Sequence, residues 1–344
     1  MGNLLTYSGI ITKVRAMEAN LISTEEYKLI AEFETTTEFF TFLKNHPGYC
    51  EIFNRYDEHG LHRGQAEGIF INALYLDFTK LYEFAGIQQR KLLDFIFFRY
   101  EVTILKACLQ MVYASHEDYN LDLFTVFFTR HSNLDVKALA ASHSMEEFIN
   151  NLKDTRYYPL FSNLSNTPDI TTYTYQMQLD IYYFKKAWQL KDKLPKGEDL
   201  TAFTNCLGTE IDLMNLLWLY RFIKFYSLPS ADLYAYVIPI TYKLTREKLM
   251  QLMETTSMEE FLAVIKTTYY DKISSAVEDG SIEITCEKQI ARLYKDNMLL
   301  YPASMSPVNC YLFQKQNEIR KLTTVLECIR YKLSPQETLN YVFP

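Results

Sequence analysis

Glycine and proline are scarce in this 344-residue chain: 10 of each, about 3% apiece where about 7% and 5% are usual. A many-stranded sandwich or barrel needs a turn signal every ~8–12 residues, so that class is excluded and long helices are expected. Long apolar runs are missing too. Runs such as Phe95 to Phe98 and Leu216 to Tyr220 fall far short of the ~20 residues of a membrane-spanning helix. An excess of positive charge is also lacking. The 35 basic and 42 acidic residues leave a net charge of -7, the wrong sign for displacing counterions from duplex phosphates, so no nucleic acid is expected as a partner. No leader pattern opens the chain, and Met1-Gly2 with Thr6 matches the myristoylation pattern only loosely. The cytosol is the expected compartment.

The usual catalytic signatures are absent. Neither GxGxxG nor GxxxxGK-S/T occurs, so no loop cradles phosphates, and HExxH, DDxxD and GxSxG are missing as well. His59 and His62 lie close together in DEHGLHRG, a spacing open to metal ligation but read first as a polar loop with solvated imidazoles. The cysteines at 50, 108, 206, 286, 310 and 328 form no CxxC and suit no zinc ligand set. Most sit in apolar helical contexts, where a reduced thiol behaves as a small hydrophobe. The expectation is a protein with no cofactor, no metal and no small-molecule substrate.

Aromatic residues, by contrast, reach 15% (27 Tyr, 23 Phe, 2 Trp), ample for a packed interior and incompatible with disorder. The chain also repeats itself. Residues 35–44 read TTTEFFTFLK, 144–153 read SMEEFINNLK and 257–266 read SMEEFLAVIK. Each is S/T-x-x-E-F-x-x-x-L/I-K, beginning at Thr35, Ser144 and Ser257. The physics is a helix start: the hydroxyl caps a free amide, and Glu38, Glu147 or Glu260 bonds back to the N–H of the cap itself. Phe and Leu/Ile at i and i+4 then share the inward face. Ser23-Thr24-Glu25-Glu26 is a further capping box, Thr245 opens TREKLMQLME, and Ser334-Pro335-Gln336-Glu337 caps a last short helix.

A second signature follows each of the three boxes. Glu101 with Val102, Leu105, Cys108 and Leu109 matches Glu210 with Ile211, Met214, Leu217 and Trp218. Both match Glu318 with Ile319, Leu322, Val325 and Leu326. Offsets of +1, +4, +7 and +8 make a helical stripe. Box and stripe are separated by 63, 63 and 58 residues. A period of ~110 residues exceeds any solenoid repeat and matches a small helical domain. Three related helical units are therefore expected, 1–114, 115–229 and 230–344. In the middle unit a hairpin turns at KLPKGED, through Pro195 and Gly197.

Two charged features stand out. Lys185, Lys186, Lys191, Lys193 and Lys196 crowd that hairpin with only Asp192 opposing them before Glu198, as a solvated helix face or as a docking patch for an acidic partner. The helix from Glu210 to Arg221 is apolar nearly all round and should be central. Asp212 and Asn215 within it would then need partners, and a structural network is expected rather than a catalytic one.

At these residues the chain resembles the C subunits of bacterial and archaeal V/A-type rotary ATPases, relatives of the d subunit of the vacuolar enzyme. Lys13-Val14-Arg15-Ala16-Met17-Glu18 through Leu21 resembles the family opening A-R-x-R-A-M-E…L. GTEIDLMNLLWLYR, from Gly208 to Arg221, is the nearest motif. SPVNCYLFQKQNEIRKL, from Ser306 to Leu322, resembles the Pro-led loop and the E-x-E-I-R-N-L helix. Departures stand at Gln316 and Lys321 in the last motif, and at Ile104 where the first unit should carry the family asparagine. The resemblance implies an all-α fold of three related domains around a pseudo-threefold axis, funnel-shaped. It implies a non-catalytic socket, peripheral on the cytoplasmic face of the membrane. The partners it implies are the central-stalk components and the membrane proteolipid rotor ring of an ATPase that links ATP hydrolysis or synthesis to proton or sodium transport. Arg15, Lys185 and Lys186 are the candidate protein-interface residues. The alternatives are a general helical scaffold for an unrelated protein partner, and a helical enzyme using Asp212 or His62.

Overall fold

The capping signals open helices where the sequence places them. Ser23, Thr35, Ser144, Thr245, Ser257 and Ser334 all sit in extended backbone, each side-chain oxygen accepting the N–H three residues on. The computed structural model describes residues 2–57, 61, 63–113, 122–167, 170–226 and 230–344; His59 and His62 lie outside these. Among the described residues every regular element is helical.

In chain order the first helices are α1 (Gly2–Glu18), α2 (Thr24–Ala31), α3 (Thr36–Asn45), α4 (Cys50–Phe53), α5 (Arg63–Phe84), α6 (Ile87–Tyr113) and α7 (Asp122–His131). Then come α8 (Val136–Ala140), α9 (Met145–Asn150), α10 (Tyr158–Ser165), α11 (Thr172–Lys191), α12 (Glu198–Arg221) and α13 (Ser230–Leu233). The last are α14 (Arg246–Met253), α15 (Met258–Ile265), α16 (Ser274–Asp279), α17 (Ile282–Leu300), α18 (Ser306–Arg330) and α19 (Pro335–Val342). No described helix is long and apolar enough to cross a membrane.

Two compact units result: Met1–Asn166 together with Pro307–Pro344, and Thr167–Ser306. In the first, α1 turns Tyr7, Ile10, Val14 and Met17 inward at helical spacing, which leaves Arg15 on the outer face. The Gln89 side chain of α6 donates to the Thr6 carbonyl at 2.9 Å, fixing α1 beside the hairpin of α5 and α6. An aromatic cluster joins α5, α6 and α7. Tyr75 stacks on Phe127 with centroids 4.4 Å apart, and Phe78 meets Phe127 edge-on at 5.6 Å; such pairs are worth about 0.5–1.5 kcal/mol beyond their area. The C-terminal segment completes this unit, with Phe343 edge-on to Tyr27 of α2 at 5.6 Å. Lys321, one of the two departures in the last motif, lies 3.9 Å from the Phe343 ring centroid; Ile104, the departure in the first unit, is core.

In the second unit the α11–α12 hairpin turns through Lys193–Gly197, as read from KLPKGED, and α12 is buried over most of its length. Asn297 of α17 donates to Cys206 Sγ at 3.0 Å, and Asp199 of α12 accepts the Met305 N–H at 2.7 Å. Gly208 allows the closest approach. A Cβ there would stand 2.4 Å from Cγ of Tyr242, whose hydroxyl donates to Asn205 at 2.7 Å. Cys108, Cys206, Cys286, Cys310 and Cys328 are buried free thiols and Cys50 is half-buried. Burial pushes Cys108 and Cys286 up to about 12, so both stay protonated and inert.

Candidate functional site

The three boxes converge on one recurring arrangement. Tyr49, Tyr157 and Tyr270 each follow a box helix, and each hydroxyl donates to a buried carboxylate on a long helix. Tyr49 reaches Glu318 of α18 at 2.6 Å, Tyr157 reaches Glu101 of α6 at 2.8 Å, and Tyr270 reaches Asp212 of α12 at 2.9 Å. Local turns aim two of the rings: Thr155 and Thr268 accept the N–H of Tyr157 and Tyr270 at 3.3 and 3.1 Å. Near Tyr49, a Cβ on Gly48 would stand 2.4 Å from the Asn20 carbonyl, so only glycine lets the chain pass there.

The same carboxylates take the backbone N–H just before the cap of the preceding helix. Ile22, ahead of Ser23, donates to Glu318 at 2.6 Å, and Leu244, ahead of Thr245, donates to Asp212 at 2.8 Å. Leu134, ahead of the Asp135 cap of α8, donates at 3.2 Å to Ser132 Oγ, which in turn donates to Glu101. Each node thus ties one helix pair to one long helix. Unpaired, these buried groups would cost several kcal/mol each, so the bonds specify the packing.

The carboxylates are balanced differently. Lys315, 1% exposed, lies 2.8 Å from Glu318 and 4.0 Å from Asp77, with its ammonium 3.8 Å from the Tyr49 ring centroid. Tyr311 donates to Asp77 at 2.6 Å. Burial raises the Asp77 pKa against the pull of Lys315 and Tyr311. Glu101 pairs with Arg156 at 3.1 Å. Asp212, fully buried, takes three backbone N–H groups instead, from Tyr242 (3.2 Å), Lys243 (2.7 Å) and Leu244 (2.8 Å). Burial raises its pKa and those bonds oppose the rise. Burial, followed by the adjoining carboxylate, drives Tyr49, Tyr270 and Tyr311 far above the ordinary phenol value, which keeps them donors.

Asn215 is satisfied as well, donating to the Ile238 carbonyl at 3.0 Å and accepting the Ile238 N–H at 2.9 Å. Asp212 and Asn215 therefore form the structural network expected of them. Two expectations are corrected. Stripe spacing sets Glu210 beside Glu101 and Glu318, but Asp212 occupies that place and Glu210 instead accepts the Tyr294 hydroxyl at 2.7 Å. Two residues turn a helix by about 200°, so both cannot face the same box. The box glutamates also reach further than the cap. Glu38 accepts the N–H of both Thr35 and Glu34, but Glu147 and Glu260 take that of His143 and Thr256, one residue ahead of the cap.

The candidate interface residues are not drawn into these nodes. Arg15, its side chain 53% exposed, pairs with Glu18 at 2.8 Å. Lys185 and Lys186 are exposed on α11, with Lys186 5.7 Å from the Tyr182 ring. Lys193 and Lys196 are solvated too, but Lys191 is 7% exposed, 2.5 Å from Asp192 and 4.2 Å from the Trp188 ring. Motif spacing alone does not single out Tyr49, Tyr157, Tyr270, Arg156 or Lys315. The tyrosines do carry a signal, since all three stand thirteen or fourteen residues after Thr35, Ser144 and Ser257. The two cations carry none.

Comparison with known proteins covers nearly the whole chain. Residues 10–341 match the family model described as ATP synthase (C/AC39) subunit. The C subunit of the A-type ATP synthase of Methanosarcina acetivorans is 26% identical over 336 residues, covering 93% of this chain and 88% of that protein. The protein of the same name from Thermococcus kodakarensis is 24% identical over 350 residues, covering 98% and 90%. That from Pyrococcus abyssi is 29% identical over 210 residues, covering 59% and 55%.

Proposed function

The chain belongs to the ATP synthase (C/AC39) subunit family, and from that premise we propose that it is the central-stalk connector of a V/A-type rotary ATPase. It is a subunit of that complex and not itself a catalyst. The finer reading is a socket: the foot of the rotating stalk seats in it, and it rests on the membrane proteolipid ring at the cytoplasmic face. Torque then passes between stalk and ring as ATP hydrolysis or synthesis is linked to proton or sodium transport.

One observation carries this reading. The Tyr–carboxylate nodes follow a cyclic order, in which the box of each third is held by the long helix of the preceding third and the first box by the last helix. Such an order supports a threefold internal repeat; the division into domains 1–114, 115–229 and 230–344 is part of the proposal, and the pseudo-threefold funnel comes from the family resemblance. Buried hydrogen-bonded nodes suit a part that transmits force, because their partners have no equally good alternative register. A grip of this kind calls for interfaces at or above the standard ~1,600 Å². Arg15, Lys185 and Lys186 are proposed as polar contacts within them.

The test is direct binding. The purified chain should bind the isolated stalk complex and the detergent-solubilised ring, each separately and at micromolar concentration or below. Failure to bind either one would discard the socket.

A further inference from the structure

A groove between α2 and α3 takes no part in the nodes. Its volume is about 530 Å³. The half-buried rings of Phe33 and Phe42 form its floor, 6.0 Å apart, and His46 continues the floor 5.6 Å beyond Phe42. The lining positions on α3 recur every fourth residue, at Thr37, Thr41 and Asn45. The groove therefore follows that helix for about two turns, or ~12 Å at 1.5 Å per residue. It is a trough open to solvent, with Glu26 and Glu38 also lining it.

Negative charge dominates this surface. Residues 25–47 hold Glu25, Glu26, Glu32, Glu34 and Glu38 against Lys28 and Lys44, and no lysine or arginine lines the groove. The backbone N–H groups of Thr35 and Glu34 hold Glu38 below the ordinary carboxylate range. At Glu26 burial works upward, but the hydrogen bonds from Ser23 prevail and its pKa is lowered too. Burial keeps His46 below the ordinary imidazole value, so it adds no compensating charge at neutral pH. Anionic lipid and nucleic acid are repelled by such a rim.

We propose that this groove docks a basic amphipathic helix of another protein, whose apolar side chains lie on Phe33 and Phe42 and whose lysines or arginines face Glu26 and Glu38. An elongated apolar floor between carboxylates fits the helix-in-groove mode, in which anchors at i, i+3 or i+4 enter the trough and flanking charges set the orientation. The site is independent of the socket reading.

The test uses the full chain and a fluorescein-labelled 14-residue peptide of leucine and lysine, with leucine at i, i+3, i+4 and i+7, read by fluorescence anisotropy. Two control peptides replace its leucines by serine or its lysines by glutamate. Thr41→Lys with Asn45→Lys neutralises the charge of the exposed rim without touching the capping carboxylates. Thr103→Lys with Gln110→Lys adds the same charge on the exposed face of α6. The Leu/Lys peptide should bind, both control peptides should bind at least tenfold more weakly, and the rim pair should weaken the Leu/Lys peptide at least tenfold while the α6 pair does not. Circular dichroism checks that both variants keep their helices. Equal binding of the serine peptide, or equal weakening by the two lysine pairs, would reduce the effect to general acidity and overturn the site.

Discussion

Asp212→Ala is the sharpest perturbation of the second unit. The carboxylate accepts from three backbone N–H groups and the Tyr270 hydroxyl, at 2.7–3.2 Å. Truncation leaves all four donors without an acceptor. The Leu244 N–H and the Tyr270 hydroxyl are buried, whereas the Tyr242 and Lys243 amides are partly so. At roughly 1–3 kcal/mol per buried orphan, with water recovering part of the two outer amides, the loss is about 4–6 kcal/mol. That is a large share of a total stability of about 5–15 kcal/mol. For a unit of about 150 residues it lowers the melting temperature by about 10 °C or more.

Asp212→Asn should cost less, because its oxygen still accepts while its NH₂ faces other donors. Tyr270→Phe should cost least, since it removes only one charge-assisted bond, worth about 1.5–3 kcal/mol. Differential scanning calorimetry of the full chain at pH 7 gives the order. The Asp212→Ala/Tyr270→Phe double variant should lose less than the sum of the single changes, because the second change removes a donor orphaned by the first. A shift under about 2 °C for Asp212→Ala, or strict additivity, would show that the node does not organise this unit.

Further outcomes follow from local geometry. Gly208→Ala should destabilise by about 1–3 kcal/mol, because its Cβ would meet the Tyr242 ring at 2.4 Å; in a Tyr242→Ala background, where only the contact with Cβ of residue 242 at 2.9 Å is left, the cost should fall, and an equal cost in both would reject the steric account. Ser144→Ala and Ser257→Ala should each lower stability by about 1 kcal/mol in urea titrations, since each oxygen caps the N–H three residues on. Burial lowers the pKa of His46, with Glu26 and Glu318 opposing and Lys315 assisting. A depressed folded pKa means stability that is present above the unfolded value of 6.5 and lost as pH falls through the folded one. The stability advantage of the native chain over His46→Gln should therefore shrink from pH 7 to pH 5, and an advantage that grows on acidification would reverse the sign.

The helix starts were legible in the sequence because they are local events. A hydroxyl and the amide three residues on decide them, so Ser23, Thr35, Ser144, Ser257 and Ser334 could be read without knowing what they pack against. Stripe periodicity, the buried α12 and the hairpin at Pro195–Gly197 belong with them, each resting on spacing within a turn or two of helix. Tertiary structure decided which groups meet. Tyr49 and Glu318 are 269 residues apart, and no local rule ties the first box to the last long helix. The choice of Asp212 over Glu210 turned on helix rotation, since a two-residue shift changes the face and leaves the periodicity intact. Lys191 belongs to a run that reads as a solvated face or a docking patch, and nothing local marks Lys315; the aromatic rings and carboxylates around them set their roles. Burial is a property of the assembled surroundings, so their chemistry came only with the fold.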